Sequence, residues 1–539
     1  MKLLGVLKQD KVLVVIFLAS CFFILYGLTF HDAVSDEAVN AFRAIGYYDH
    51  LVSQLQTTPY QWFEQVPWWA KLSFHDAPYL SFLIQFIFFK FFGVSLLIMR
   101  LPFALAGIGL IIILYFIFQK FIDKKLAWLP AVLLLANVYY LWSSKLGYLE
   151  ILTSFFVWLS IYFFFKIKEN WKNIYLWALF LGLALVTKYT AFFILPVYFL
   201  YLLFFERRFY KNKRFFLALL IILLIFSPVI IYNLMMFKTT GHFDLQFSAL
   251  FGQKVEAWSR ISRNTPADFN GFLFGVINIL KTLSSAWGPF NFVLFILSSL
   301  FLAIRSVVKK EKITAFFVIM VIVFLLLFSF IGGSAIRFLS FFNPLWAVVL
   351  ALTIVNLKLK KLIFYPLVLV VIIYNLFTSF NTLILAGNLS QNKLLFSPPL
   401  VLGDYGYNQL EKEINLIIAR EKPVIGKEKD NTLFIFDSNI NYFAKIWYIQ
   451  RRVSYELIPF ASTNEVLEVL KSQGSDYYYR QGFNRFYLIK TTNNTLLVPK
   501  DTRSETARIL ANNLQEAGTG VYKKIENRKG ELMFLIYKF

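Results

Sequence analysis

A polytopic α-helical membrane protein with a small C-terminal α/β domain is the fold this sequence predicts, and three observations predict it. Of 539 residues, 58% are hydrophobic and 19% aromatic, a balance foreign to soluble domains. The apolar residues arrive in blocks of membrane-span length until about Phe380, then stop. Beyond Pro399 the apolar runs shrink to strand length and alternate with helix-like runs. The expected domains are 1–385, with a first outer loop at 31–77, and 399–539.

The first block, Lys11–Phe30, is long enough to cross a bilayer as a helix. Lys2, Lys8 and Lys11 precede it and predict an uncleaved anchor with its N-terminus in the cytoplasm. The single cysteine, Cys21, lies inside that block and reads as a buried span residue, so no disulfide framework exists. The net charge of +23 does not mark a nucleic-acid binder, because the basic residues sit in short loops between apolar blocks. Clusters at 120–125, 166–172, 207–214, 305–312 and 358–361 predict cytoplasmic loops. Outer hairpins then fall at Ser143–Tyr148, Thr187–Thr190 and Gly332–Arg337, with 31–77 and 234–270 also outside. The alternation works with about eleven spans, within a range of eleven to thirteen, and an outer C-terminus. It requires the short apolar segment Tyr79–Phe92 to lie at the outer interface rather than cross.

In the tail, Leu433–Phe436, Val453–Ile458, Phe486–Ile489 and Leu532–Tyr537 read as strands. Leu410–Ala419, Tyr442–Gln450, Glu465–Leu470 and Glu505–Leu514 read as helices, and Asn527–Gly530 as a hairpin turn. With no glycine-rich phosphate loop and no metal-ligand spacing, this domain is expected to cap the membrane part or bind acceptor.

Charges at a span's edge are costly and each asks for a reason. The outer set is Asp36, Glu37, His75, Asp76, Arg100, Lys145, Glu150, Lys188 and Arg337. Ser35 can cap a helix starting at Asp36, whose apolar face includes Val39, Phe42 and Ile45. Its first turn favours ionised carboxylates, and an ionised Asp can take a proton or hold a cation. Acidic residues also favour any first helical turn, so the pattern alone does not choose. His75, Asp76 and Pro78 open the short interfacial helix, either as an ordinary first turn or as a second carboxylate with a histidine partner. Lys145 and Glu150 form either a local pair or part of a site. Lys188, in a tight turn with little else polar nearby, can join Arg100 and Arg337 on a phosphate.

The order of motifs resembles a family. After the first span come D-E-A-V-N-A, H-D-A-P-Y-L, and F-F-G-V-S-L-L-I-M-R-L-P-F-A-L-A-G. S-K-L-G-Y-L-E, L-G-L-A-L-V-T-K-Y-T-A and A-I-R-F-L-S-F-F-N-P follow. This is similar to the GT-C glycosyltransferases of the protein O-mannosyltransferase and aminoarabinose (lipid A) transferase type, over most of Lys11–Phe380. The resemblance implies transfer of a hexose or pentose from a polyprenyl-phosphate donor to a protein, lipid or glycan acceptor on the outer face of the plasma (inner) membrane. It implies Asp36 and Glu37 as the catalytic pair, with Asp36 the base. It puts His75, Asp76, Arg100, Lys145, Glu150, Lys188 and Arg337 at the substrate. Lys145 stands where the family has Arg, and Asp76 and Ala77 depart from its His-Pro-Pro pattern.

A lipid phosphate is already a good leaving group, so one base and stabilising positive charge suffice, and direct displacement would invert the anomeric centre. Expected partners are the donor, the acceptor and membrane lipids, with no nucleic acid. No cofactor is certain, and a divalent metal near Asp36, His75 and Asp76 stays open. The alternative is a multispan transporter or lipid flippase. Such proteins show inverted repeats and broken spans with mid-membrane polar residues, whereas here the charges gather at span ends.

Overall fold

The computed structural model describes residues 10–50, 56–258, 269–492 and 505–539. The chain packs as two compact units: Met1–Leu28 with Tyr47–Val401, and Thr29–Gly46 with Leu402–Phe539. The segment 31–77, expected as a loop of the first domain, is divided between them at Gly46.

In the first unit, seven described helices are long and apolar enough to cross a bilayer: Leu96–Phe121, Leu149–Lys166, Lys213–Thr240, Pro289–Lys309, Lys312–Gly332, Ile336–Asn356 and Lys361–Leu383. Lys11–Leu25, Asn173–Leu185 and Tyr189–Phe205 are shorter apolar helices. Trp128–Ala136 and Val138–Lys145 form one further apolar run, broken at Asn137, whose side chain accepts from Tyr140 N and caps the second half.

Contacts at both ends fix helix direction. Asp10, at the start of Lys11–Leu25, accepts from Tyr115 Oη at 2.5 Å and Gln119 Nε2 at 3.1 Å. Arg100, near the start of Leu96–Phe121, donates to the Leu28 carbonyl at 2.8 Å. These two helices are therefore antiparallel, and Arg100 and Lys120 lie roughly 30 Å apart along the axis, the thickness of a hydrocarbon core. At the Lys120 end the basic loops find acids. Lys120 meets Glu169 at 3.0 Å, and Glu206 gathers Lys168, Arg208 and Lys312, each at 3.1 Å. At the Arg100 end the turns near 143–148, 187–190 and 332–337 meet, as the charge pattern predicts. Lys188 pairs with Glu150, and Tyr139 donates to the Ile336 carbonyl.

Two helices start and finish at the Arg100 end and do not cross. Leu80–Phe92 begins against the 187 turn, through Leu80 N to Val186 O at 2.9 Å and Ser81 Oγ to Thr187 O at 3.4 Å. Its Gln85 donates to the Met99 carbonyl at 2.8 Å. It ends at Phe92, four residues before Leu96–Phe121 begins at the same end. Phe269–Trp287 stacks Phe272 on Phe330 at 4.4 Å near its start. Near its end Trp287 Nε1 donates to Asn343 Oδ1, and the Ser285 carbonyl accepts from Ser397 Oγ, each at 2.8 Å. Among the described residues, the seven long helices, the three short ones and the broken pair thus pass eleven times between the Arg100 end and the Lys120 end.

The second unit is a five-stranded mixed sheet, order β2-β1-β3-β5-β4. β1 (Asn431–Phe436) pairs in parallel with β2 (Phe460–Ser462) and β3 (Phe483–Thr491). β5 (Leu532–Lys538) runs antiparallel to β3 and to β4 (Val521–Glu526). Every residue of β1 is buried, as a parallel strand covered on both faces requires. One face packs Leu433, Ile435, Phe486 and Leu488 on Val466 and Ala511 from the flanking helices. The expected strand Val453–Ile458 is instead mostly helix, Arg451–Glu456. Arg452 pairs with Glu456 one turn on at 3.2 Å, a contact that helical spacing favours, and with the distant Glu411 at 3.4 Å.

Residues 29–46 belong here because Asp32 caps a chain turn. Its carboxylate accepts from Tyr405 N at 2.6 Å, Asn408 N at 2.9 Å and Tyr407 N at 3.3 Å. Tyr455 Oη donates to the Phe42 carbonyl at 2.9 Å.

Candidate active site

Asp36 and Glu37 open the helix Asp36–Gly46 in the second unit. Glu37 is fully buried, with Ala38, Ala41 and Phe42. The expected face therefore turns, since Val39 and Ile45 are only partly buried. Ser35 does not cap with its side chain: Oγ is buried without a hydrogen-bond partner among the described residues, and its carbonyl accepts from Ala38 N at 2.9 Å.

The other candidates lie in the first unit and sort into three groups. Lys188 sits in extended backbone just before the turn Tyr189–Phe193, with φ −160°. Its ammonium pairs with the buried Glu150 carboxylate and stands 4.6 Å from the centre of the Phe338 ring. The Arg337 guanidinium stands 4.7 Å from the same ring. One aromatic ring therefore receives two cations, each attracted by its π-face. Three sequence-distant turns converge at this point.

Arg100 and Lys145 serve the end of the first helix. Arg100 is 1% exposed and holds Leu28 O, while Lys145 Nζ holds Tyr26 O at 2.5 Å and Ile24 O at 3.2 Å. The last carbonyls of a helix lack intrahelical partners and carry its negative dipole end, so two cations there are favoured.

His75 forms the third group. Asp49 accepts from its backbone N at 2.7 Å and from Nδ1 at 2.9 Å, and Gln56 Nε2 meets ring Nε2 at 2.6 Å. With an acceptor at Nδ1 and a donor at Nε2, the ring is held as the Nδ1–H tautomer. Both ring nitrogens are engaged by protein groups, Asp49 and Gln56. Among the described residues no group of three or more His, Cys, Asp or Glu side chains is arranged to hold a metal ion. Asp76 is 27% exposed, 3.9 Å from the His75 ring.

Sequence reading missed two residues here, one of which ties two of these groups together. Asp49 orients His75. Asp244 is fully buried and caps Leu245–Leu250 by accepting from Gln246 N at 3.0 Å and Phe247 N at 2.9 Å. It also accepts from Tyr189 Oη and from Asn233 Nδ2 at 3.2 Å. The next residues reach the histidine loop, through Leu245 N to His75 O at 2.8 Å and Gln246 Nε2 to Asp76 O at 3.1 Å. Tyr189 adjoins Lys188, so Asp244 links the cation turn to the His75–Asp76 loop. Burial pushes the Asp244 carboxyl up to about 6, against the opposing effect of its hydrogen bonds. Asp244 carried one sequence signal, an Asp directly before an apolar helix start.

Residues 76–232 match the sequence model of the dolichyl-phosphate-mannose-protein mannosyltransferase family. That stretch holds Asp76, Arg100, Lys145, Glu150 and Lys188; Asp36, Glu37, His75 and Arg337 fall outside it. In fold the chain is similar to ArnT from Cupriavidus metallidurans in the apo state, at TM-score 0.55 and 12% identity over 97% of each chain. It is similar also to ArnT from that organism bound to undecaprenyl phosphate, at TM-score 0.52 and 11% identity over 97% of each chain. No curated protein sequence matches it.

Proposed function

We propose that this chain, a membrane protein of the GT-C glycosyltransferase class and of the mannosyltransferase and ArnT type, moves a sugar from a polyprenyl-phosphate donor to an acceptor on the extracytoplasmic face. The basic loops at the Lys120 end support a cytoplasmic position for that end, which leaves the Arg100 end and the C-terminal unit outside. The observation that carries the reading is the Lys188–Glu150–Phe338–Arg337 group, two cations assembled by three turns at the end away from the basic loops. Lys188 keeps 17% of its side chain exposed, so an anion can reach it.

In the reaction, the bond from the sugar's anomeric carbon to the phosphate oxygen breaks and a bond to the acceptor oxygen forms. The acceptor proton passes to Asp36, and Glu37 completes the carboxylate pair. Lys188 and Arg337 stabilise the lipid phosphate that leaves. Arg100 and Lys145 hold the end of the first helix beside the substrate, and His75 and Asp76 shape the loop that meets it. Displacement from the opposite face inverts the sugar. The donor class is that of the family model's description, dolichyl-phosphate-mannose, and ArnT, a fold neighbour, is bound to undecaprenyl phosphate in one of its structures.

The test is transfer by the reconstituted full chain from polyprenyl-phosphate hexose and pentose, with release of lipid phosphate read by mass spectrometry. Asp36→Asn is expected to abolish transfer and retain donor binding. Transfer near the wild-type rate in that variant removes Asp36 as base. Movement of intact donor between leaflets without release of lipid phosphate makes the protein a flippase.

A further inference from the structure

Away from the groups above, a pocket of about 560 Å³ lies where the helices Phe269–Trp287 and Pro289–Lys309 meet the segment 393–399. Ile277, Leu280, Phe292 and Phe396 give it apolar walls, and Lys281 and Lys393 stand in its lining. No carboxylate lines it. Both lysines are exposed, and among the described residues neither ammonium makes a hydrogen bond or an ion pair.

The position of the pocket adds a second constraint. It opens beside the junction at Gly288, at the Arg100 end of the bundle, where the long apolar helices Lys312–Gly332 and Lys361–Leu383 finish. Ile277 and Val293 leave 39% and 51% of their surface exposed alongside it. An occupant must therefore be anionic at one end and apolar at the other. A soluble anion would leave the walls wet, and a neutral lipid would leave both charges unmatched.

We propose that this pocket holds one anionic phospholipid, its phosphodiester between Lys281 and Lys393 and an acyl chain against Ile277 and Phe292. The attraction is that of a basic pair for an anionic headgroup, strengthened because the headgroup sits against low-dielectric walls. No residue of the Lys188–Glu150–Phe338–Arg337 group lines it, and the site stands whether or not the chain is a transferase.

Native mass spectrometry of the full chain in detergent tests this with phosphatidylglycerol and phosphatidylcholine of identical acyl chains. Wild type is expected to retain one phosphatidylglycerol with at least about tenfold preference. Lys281→Ala with Lys393→Ala is expected to abolish that preference while the melting temperature holds, since both side chains are on the surface. Lys188→Ala is expected to keep it. Equal retention of the two lipids by wild type, or unchanged preference in the double variant, overturns the proposal. A wild-type competition needs no variant. Displacement by millimolar inorganic phosphate assigns the site to a soluble anion instead. Stoichiometric displacement by polyprenyl phosphate assigns it to the donor.

Discussion

Lys188 and Glu150 stand 38 residues apart in sequence and form an ion pair in which Glu150 is 2% and Lys188 17% exposed. Removing one partner of a nearly buried pair strands the other charge, at a cost on the order of 3 kcal/mol. Lys188→Met alone is expected to lower the melting temperature and abolish transfer. Lys188→Met with Glu150→Leu is expected to recover most of the stability, because no charge is left stranded, but none of the transfer. A thermal scan beside a transfer assay separates the two. Recovery of transfer in the double variant would show that the pair only holds two turns together.

Asp32 binds residues 29–46 to the C-terminal unit by accepting from three backbone N–H groups, those of Tyr405, Tyr407 and Asn408. Asp32→Ala leaves these donors without that acceptor, and buried unsatisfied donors are expensive. Amide exchange is expected to rise at least about tenfold at 405–408 and along 36–46, with β1 to β5 unaffected. Unchanged protection at Asn408 would show that another group holds the turn.

The membrane part was legible because its signals are local and repeated. Apolar block length gave the spans, and the loop charges gave the alternation that brings the turns at 143–148, 187–190 and 332–337 to one end. The same logic set Leu80–Phe92 apart from the crossing helices. Phe269–Trp287 escaped it, since 19 residues closing on Ser284, Ser285, Ala286 and Trp287 have span length until both ends are seen to meet the same layer. In the tail, Val453–Ile458 has strand composition, and the helix there answers to Glu411, about forty residues away. Site residues followed the same division. Lys188, Glu150 and Arg337 stand out as charges at span edges. Asp49 and Asp244 do not, because their partners His75 and Tyr189 lie 26 and 55 residues away.

Lys145 serves carbonyls at the end of Lys11–Leu25, and Arg100 serves the Leu28 carbonyl three residues beyond it. Each is expected to affect folding more than donor affinity. Lys145→Met strands the Tyr26 and Ile24 carbonyls and is expected to lower the melting temperature by several degrees. Donor affinity is expected to stay within about threefold, against a loss above tenfold for Lys188→Met. Donor titration and a thermal scan on the same samples decide it. The reverse order of effects would move Lys145 onto the donor phosphate.

Asp244 makes stability depend on pH with a definite sign. Its folded carboxyl titrates near 6, and an unfolded aspartate near 3.8. Between those values the folded chain holds a proton that the unfolded chain has lost, so stability falls as pH rises through this window. The contribution is complete below about 3.8 and gone above about 6, with an upper limit of about 3 kcal/mol. Asp32 is also raised to about 6 and acts in the same direction, so wild type alone does not isolate Asp244. Asp244→Asn does, because it removes one titration and keeps an oxygen for Gln246 N and Phe247 N. The stability advantage of wild type over Asp244→Asn is expected to be larger at pH 5 than at pH 7.5. Denaturant or thermal unfolding of both proteins across that range measures it. A difference that is flat with pH, or that grows toward pH 7.5, would mean that the hydrogen bonds from Tyr189 and Asn233 outweigh burial and keep the carboxylate ionised.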